Sequence, residues 1–391
     1  MTAKPGRPGL LRAINDRTAF QLLLDHGPLS RGRLASLTGL APPTVTQLLG
    51  RLEANGLVVP AGIREGGRGP NAKLYSANSR AAYVAGVDLT PWSMSVAIAD
   101  VTGDVVAEHE IETSRRAPLD PLPRLRSVIE AAVAQVGLRT TELHHVVIGA
   151  PGAIDPRTDE LAYAPHLVGW HRPDLPRAVG AELGVTVDIE NDVNLAAVAE
   201  MWAGQAKDID NFVMLWAAEG LGMAMVLDGR IWRGASGGAG EISYLPVPGA
   251  PLSRQVSGGA HGGFQLTSGA EALLDLGREH GIAGDTAADV VALAVAGGEP
   301  TPFLGELATR LATGLAAVAC LIDPELIVLG GDVPRAGGEL LLELVAAELT
   351  ELAIVQPALA LSSVSGNVVR AGAVRAALTV ARARIFPEAG D

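Results

Sequence analysis

One pattern occurs twice in this chain, and it restricts the available folds more than any other feature. The stretch YVAGVDLTPWSMSVAIADVTGDVVAEHEIE reads strand, turn, strand, Thr-Gly-Asp turn, strand. An amphipathic helix follows in DPLPRLRSVIEAAVAQVGL, then a strand running into a Gly-Pro loop in HHVVIGAPGAID. From Asn211 the order returns. NFVMLWAAEGLGMAMVLDGRIWRG is again strand, turn, strand, Leu-Asp-Gly turn, strand. PFLGELATRLATGLAAVACLI is a long helix, and ELIVLGG is a strand ending in a glycine loop. Two hairpin-led α/β halves predict an internally duplicated body with a ligand cleft between its lobes.

A chain of 391 residues, 48% of them hydrophobic, is long enough for more than one domain. Charge locates the boundary. Residues 1–80 carry a net +7 and the rest −20, which together give the overall −13. A small basic head (1–80) on a large acidic body (81–391) implies a polyanion partner for the head alone. The head has apolar Phe20, Leu22, Leu23 and Leu24 at helical spacing up to Gly27-Pro28, and Ser30 caps a short second helix. After the Gly39 turn, APPTVTQLLGRLEANGL starts with prolines suited to a first helical turn and carries an inward stripe of Val45, Leu48, Leu49 and Leu52. This is the helix-turn-helix plan.

Two extended runs then flank a glycine-rich basic tip, which makes a wing. The third helix leaves Pro43, Thr44, Thr46, Gln47 and Arg51 off its apolar stripe, where this motif meets base edges in the major groove. Arg31, Arg64, Arg68, Asn71 and Lys73 complete the set expected to reach phosphates or the minor groove. The expected partner is a double-stranded DNA operator; the alternative is a solvated basic helical domain that binds a protein.

Other classes are disfavoured. No apolar run reaches membrane-spanning length without Gly, Pro or charge, and the N-terminus lacks a signal-peptide core. A single cysteine excludes an internal disulfide and any multi-cysteine metal site. Cys320, between a helical run and a strand, is expected in the core. The expectation is a soluble cytoplasmic protein with no membrane partner.

The segment IENDVNLAAVAEMWAG sets Glu190, Asn191, Asp192 and Asn194 at a strand-to-helix junction. Such residues are poor in strand and helix interiors. They serve there as a helix cap, or they aim a carboxylate at a ligand hydroxyl.

Taken in order along the chain, these motifs resemble the ROK family of sugar-responsive repressors and sugar kinases. VIGAPGAID is similar to its G-x-P-G loop, NDVNLAAVAE to its N-D-x-N-x-A-A-x-x-E motif, and WRGASGGAGEISYL to its R-G-x-x-G-x-x-G-E-x-G-H segment. The basic winged head resembles the repressor branch. The resemblance implies an α/β fold with an N-terminal winged helix-turn-helix, then a two-lobed actin-like body of the ribonuclease H and sugar-kinase type.

By the same resemblance Asp192 stands at the position of the kinase base. The phosphate turns depart from the kinase pattern. The first is DLTPWS, where Pro91 has no N–H and Trp92 is bulky. The second is AAEGLGMA, where Glu219 adds negative charge. On the sugar side Glu241 is kept, Tyr244 replaces a histidine, and Phe264 falls near a sugar-binding glutamate position. The zinc-loop region has no cysteine, so no metal and no cofactor is expected. Asn191, Asp192, Glu241, Tyr244 and His166 are the candidate ligand contacts; His166 and His171 are alternatively satisfied surface histidines.

The expected protein is a DNA-binding repressor, a homodimer or homotetramer, that senses a sugar or sugar phosphate without phosphorylating it. The alternatives are a ligand-independent regulator, whose body only dimerises or meets a protein partner, and a sugar kinase with a regulatory head.

Overall fold

A computed structural model describes residues 8–64, 72–113, 120–162, 164, 167–252, 254 and 262–386. The head is built from helices α1 (Pro8–His26), α2 (Arg31–Thr38) and α3 (Pro42–Ala54) and strands β1 (Leu29–Ser30), β2 (Val58–Arg64) and β3 (Ala72–Ala77). The Ser30 hydroxyl accepts from Arg33 N and caps α2, and Gly39 in the left-handed region ends it. Pro42 and Pro43 open α3, whose Val45, Leu48, Leu49 and Leu52 are buried. The wing strands pair antiparallel, with β3 between β1 and β2.

The first lobe runs β4 (Tyr83–Leu89), β5 (Ser93–Asp100), β6 (Val105–Glu112), α4 (Leu122–Ala134), β7 (His145–Ala150), the small hairpin β8 (Ala153–Asp155) and β9 (Glu160–Ala162), α5 (Leu175–Leu183), β10 (Val187–Asn191) and α6 (Asp192–Ala203). The second runs β11 (Phe212–Ala217), β12 (Leu221–Leu227), β13 (Arg230–Ile231), α7 (Phe264–Ser268), α8 (Ala270–Glu279), α9 (Ala287–Val295), α10 (Pro302–Ile322), β14 (Leu326–Gly330), α11 (Asp332–Leu352), β15 (Ala358–Leu361) and α12 (Val368–Ile385).

The duplication is complete at the level of the sheets. The first is ordered β10-β7-β4-β5-β6 and the second β15-β14-β11-β12-β13. In each, the first strand pairs antiparallel with the second and parallel with the fourth. Parallel partners need a crossover, and α4 and α10 supply it.

Between the sheets lie α6 and α12, the helices that follow the last strand of each half. Their shared core joins Val84, Ala97 and Val147 of the first sheet to Phe212, Met214, Val226 and Val328 of the second. Glycines permit this close layer. A Cβ on Gly86 of β4 would meet Val374 N of α12 at 2.5 Å, and one on Gly222 of β12 would meet Val193 of α6 at 2.7 Å. Where the two helices cross, a Cβ on Gly372 would stand 1.8 Å from the Leu195 carbonyl oxygen. The outer faces are covered by α4 and α5 on the first lobe and by α7–α11 on the second. The body therefore stacks five layers, helix and sheet alternating.

The head shares a core with the body. Ala82, Val101 and the C-terminal Ile385 and Phe386 join the head cluster, and the Phe386 and Phe20 rings lie 5.5 Å apart. Arg382 of α12 donates to the Val101 and Thr102 carbonyls beside them.

One expectation is corrected. Cys320 is exposed, not buried. The buried stripe of α10 passes through Phe303, Leu307, Leu311, Leu315, Val318 and Ala319, and the next step round the helix turns Cys320 and Leu321 outward. By length and composition alone α10 is apolar enough to cross a membrane. That stripe packs instead into the second lobe's core.

The Gly372 contact is expected to dominate the stability of the middle layer. Gly372→Ala should lower the unfolding free energy by about 3 kcal/mol, because backbone on both sides must move. Gly305→Ala, in open space on α10, should change it by less than about 1 kcal/mol, in the stabilising direction. Urea titration of both variants checks this.

Candidate functional site

Two regions gather the predicted residues. On the head, Pro43, Thr44, Thr46 and Gln47 are exposed along one face of α3. Thr46 donates from Oγ1 back to the Pro42 carbonyl at 3.1 Å. Arg51, farther along α3, makes a two-point ion pair with Asp16 of α1 at 2.6 and 3.0 Å, and this partner raises its pKa. To meet DNA it would have to exchange that carboxylate for a phosphate or base.

Arg31 donates to the Tyr75 hydroxyl from Nε at 3.0 Å. Tyr75 is fully buried, and Lys73 lies 4.9 Å above its ring while pairing loosely with Glu53. Arg31 and Lys73 are thus presented on the wing side of the head by one aromatic anchor. Arg64 ends β2; Arg68, Asn71 and the rest of the wing tip lie outside the described residues.

The second region is the cleft between the lobes. The cap of α6 is Asn191, whose Oδ1 accepts from Asn194 N at 3.0 Å. Its Nδ2 donates to the Gly152 carbonyl at 2.9 Å, tying α6 to the Gly-Pro loop. Capping therefore falls to Asn191. Asp192 Oδ1 accepts from Val193 N at 2.8 Å.

Burial raises the Asp192 pKa to about 6, and the charge of Asp88 adds to the shift. Glu241, at the start of the Ile242–Tyr244 turn of the second lobe, is raised to about 7 by burial and then by Asp192. Asp88, at the end of β4, is raised by burial, although Asn367 donates to it at 2.7 Å. Three carboxylates from both halves thus share one desolvated space. Such a set accepts hydrogen bonds from a polyol when ionised, and donates when protonated.

Nearby cations are engaged elsewhere. Arg233 pairs with Glu190, from Nε at 2.7 Å. Arg370 bonds Ser95 and Glu108, each at 2.6 Å. Glu190 also accepts from Asn191 N and from Asn194 Nδ2. Sequence reasoning passed over Arg233 and Glu190 as a pair; forty-three positions separate them, and no local pattern signals the contact. It also missed Glu200, fully buried, whose Oε1 accepts from Ser362 Oγ, Ser363 N and Val364 N and whose Oε2 accepts from Gln205 N. That carboxylate clamps α6 to the loop before α12.

Tyr244 follows Glu241 in the same turn and is half-buried. His166 lies outside the described residues. Both His171 ring nitrogens meet carbonyls, of Leu161 and Ala164, so this ring is held within its own lobe. Phe264 is a core residue, its ring against Gly314 of α10.

The turns after β4 and β11 are each held by bonds within their own lobe. Thr90 Oγ1 accepts from Trp92 N at 3.2 Å and Ser93 N at 2.9 Å, and Pro91 has no N–H. In the second turn Leu221 N donates to Gln265 Oε1 at 2.9 Å and Ala218 N to the Gly220 carbonyl.

Comparison with known proteins adds the lineage. Residues 84–381 match the model of the ROK family, and residues 12–59 match a winged helix-turn-helix DNA-binding model. The chain belongs to the ROK family. Its ROK relatives include the xylose repressor of Caldicellulosiruptor bescii, 27% identical over 62% of this chain and 61% of that protein. Another is the DNA-binding transcriptional dual regulator NagC of Escherichia coli, 25% identical over 63% of this chain and 60% of that protein. The chain thus matches less than two thirds of the length of these curated relatives.

Among solved structures, a ROK family transcriptional regulator described as a homologue of the E. coli MLC protein superposes with a TM-score of 0.75 at 22% identity, over 96% of this chain and 98% of that one. The ROK hexokinase of Thermus thermophilus superposes with a TM-score of 0.62 at 24% identity, over 75% of this chain and 96% of that one. These likenesses establish the fold: a winged helix-turn-helix head and a sugar-kinase-type ROK body.

The raised carboxylates fix the sign of a pH effect. A native state that holds protons more tightly than the unfolded chain loses stability as pH rises from near 4 through about 6 for Asp192 and about 7 for Glu241. Asp192→Asn and Glu241→Gln should each stabilise the protein at pH 8, by about 1–2 kcal/mol after allowance for partial exposure. The gain should vanish at pH 4. Denaturant titrations at the two pH values check this.

Proposed function

We propose that this chain is a DNA-binding transcriptional repressor whose ROK body senses a sugar or sugar-derived ligand without phosphorylating it. The observation that carries this reading is the pairing of an exposed α3 face with a body whose phosphate-facing N–H groups are already bonded within the protein. Pro43, Thr44, Thr46 and Gln47 are exposed on a basic head. The Trp92 and Ser93 amides that could meet an anion serve Thr90 instead. The names of its repressor relatives support the same reading.

In this proposal α3 enters the major groove of an operator, with Gln47 and Thr44 at base edges and Arg31, Lys73 and the wing arginines Arg64 and Arg68 on phosphates. Arg51 joins them once it leaves Asp16. The protein acts as a homodimer or homotetramer, matching two half-sites. Asp192, Glu241 and Tyr244 meet ligand hydroxyls across the cleft, with His166 beside them, and Asn191 holds the loop behind them.

Closure of the lobes moves α12. Its far end carries Phe386 against Phe20, so a change at the cleft reaches the head. Coupling of about 1–3 kcal/mol is typical for such devices.

Gln47→Ala should cost about 1–3 kcal/mol on a specific operator and little on random DNA. Arg68→Ala should reduce the salt dependence of binding by about one unit. Fluorescence anisotropy at several salt concentrations reads both. Thermal unfolding with sugars, sugar phosphates and Mg-ATP tests the body. A raised midpoint with a sugar or sugar phosphate and none with ATP is expected. A shift with ATP would favour a kinase, and a flat panel a ligand-independent regulator.

A further inference from the structure

Several contacts join the two lobes, among them the Arg233–Glu190 ion pair and the close approach of Gly237 to the Ile154 carbonyl, and two of those along the cleft differ in kind. At its base, α6 and α12 cross with backbone against backbone at Leu195 and Gly372. At its mouth, Trp92 Nε1 donates to Glu219 Oε1 at 3.2 Å, joining residues 127 positions apart. Trp92 lies in the turn between β4 and β5; Glu219 lies in the turn between β11 and β12. These are equivalent turns of the two halves, each linking the first and second strands of its sheet.

Each turn is preset by its own lobe. Thr90 Oγ1 binds the Trp92 and Ser93 amides, while Thr113 donates from N to the Trp92 carbonyl and from Oγ1 to the Pro91 carbonyl. On the other side Gln265 accepts from Leu221 N and donates to the Glu219 carbonyl, which also accepts from Ala270 N. Neither turn depends on the other for its shape, so the Trp92–Glu219 bond reports and restrains the separation of two rigid bodies. Both side chains are exposed, so the bond can break without burying an unsatisfied group.

The ligand carboxylates lie between hinge and mouth. Asp192 is one helical turn before Leu195 on α6, and Asp88 is four residues before Trp92.

We propose that the Trp92–Glu219 hydrogen bond is an interlobe latch, holding the cleft mouth closed while the helix crossing serves as the hinge. A packed helix crossing permits rigid-body rotation more readily than stretching, so a bond between the two turns restrains the opening alongside the Arg233–Glu190 pair. A carboxylate acceptor makes the bond stronger than a neutral pair. The latch biases the empty protein toward the closed arrangement, and a ligand acts on a population already weighted that way. This goes beyond the proposed sugar response and needs no ligand to test.

The chain itself supplies one probe site. Its single cysteine, Cys320, is exposed on α10 of the second lobe. Ala134→Cys, exposed at the end of α4, adds one on the first. Spin labels at both positions of the full-length protein give an interlobe distance distribution by pulsed electron resonance.

One narrow distribution is expected with the latch intact. Trp92→Phe, which keeps the ring and removes the donor, should move about tenfold of the closed-to-open ratio toward open, the equivalent of ~1.4 kcal/mol. Glu219→Ala should do the same, and Glu219→Gln, which keeps a neutral acceptor, should fall between. Unchanged unfolding midpoints would show that the lobes themselves are intact. Distributions for Trp92→Phe and Glu219→Ala that superpose on the parent overturn the latch. Operator binding by the same labelled parent is read separately, so a failed latch and a failed regulator are distinguishable.

Discussion

The contact of α6 with α12 is the constraint on which the rest of the molecule depends. Two helices from different halves approach until the Leu195 carbonyl touches the Cα of Gly372, and each then lies against the sheet of the opposite half through Gly222 or Gly86. This swap makes one middle layer from two sequence repeats. It also gives every other feature its place. The start of α6 carries Asn191 and Asp192; the start of α12 carries Asn367, which holds Asp88; the end of α12 carries Phe386, which holds the head. Dense packing of this kind deforms poorly, so motion is channelled into rotation about the crossing.

Around that hinge the molecule tolerates an electrostatic cost. Burial raises the pKa of Asp88, Asp192 and Glu241, the charge of Asp88 adds to the shift at Asp192, and Asp192 adds to that at Glu241. A purely structural core would replace at least one of them with an apolar or amide side chain. Glu190 and Glu200 show the contrast: each is held by several donors, Glu190 with Arg233 and Glu200 with hydroxyl and amide groups alone. Where a carboxylate's work is structural, its partners are built in. Asp88, Asp192 and Glu241 have fewer such partners, and burial is the largest cause of the raised pKa of each.

Much of this was legible in the sequence because the signals were local or repeated. The duplicated strand-turn-strand order gave both sheets, and the Ser30 cap, the Pro42-Pro43 start and the Val45, Leu48, Leu49 and Leu52 stripe gave the head. Cys320 was misplaced; it lies in the run GLAAVACLI, where no polar residue marks the outer face, and the polar face of Glu306, Thr309, Arg310 and Thr313 that leads round to it lies earlier in α10. Asp192 was read as either cap or ligand contact; the cap is its neighbour Asn191, and one residue is the limit of what propensity resolves at a helix end. Arg233 with Glu190, Glu200 with Ser362, and Trp92 with Glu219 were illegible for a different reason. Each joins segments brought together only by the tertiary fold.

The turn at Trp92 is held in shape by side chains of its own lobe. Pro91 removes one donor outright. The remaining amides are not lost; the Thr90 hydroxyl captures them in a side-chain turn that holds the backbone in place of an anion. The turn is thereby made rigid by the chain itself, and its indole has a partner across the cleft in Glu219. A negative charge that opposes phosphate is favourable when it accepts from an indole N–H. Trp92 and Glu219, each a departure from the kinase pattern that the resemblance implies, are therefore the two halves of one contact. Read separately in the sequence they are departures from that pattern, whereas in the folded molecule they connect the two lobes.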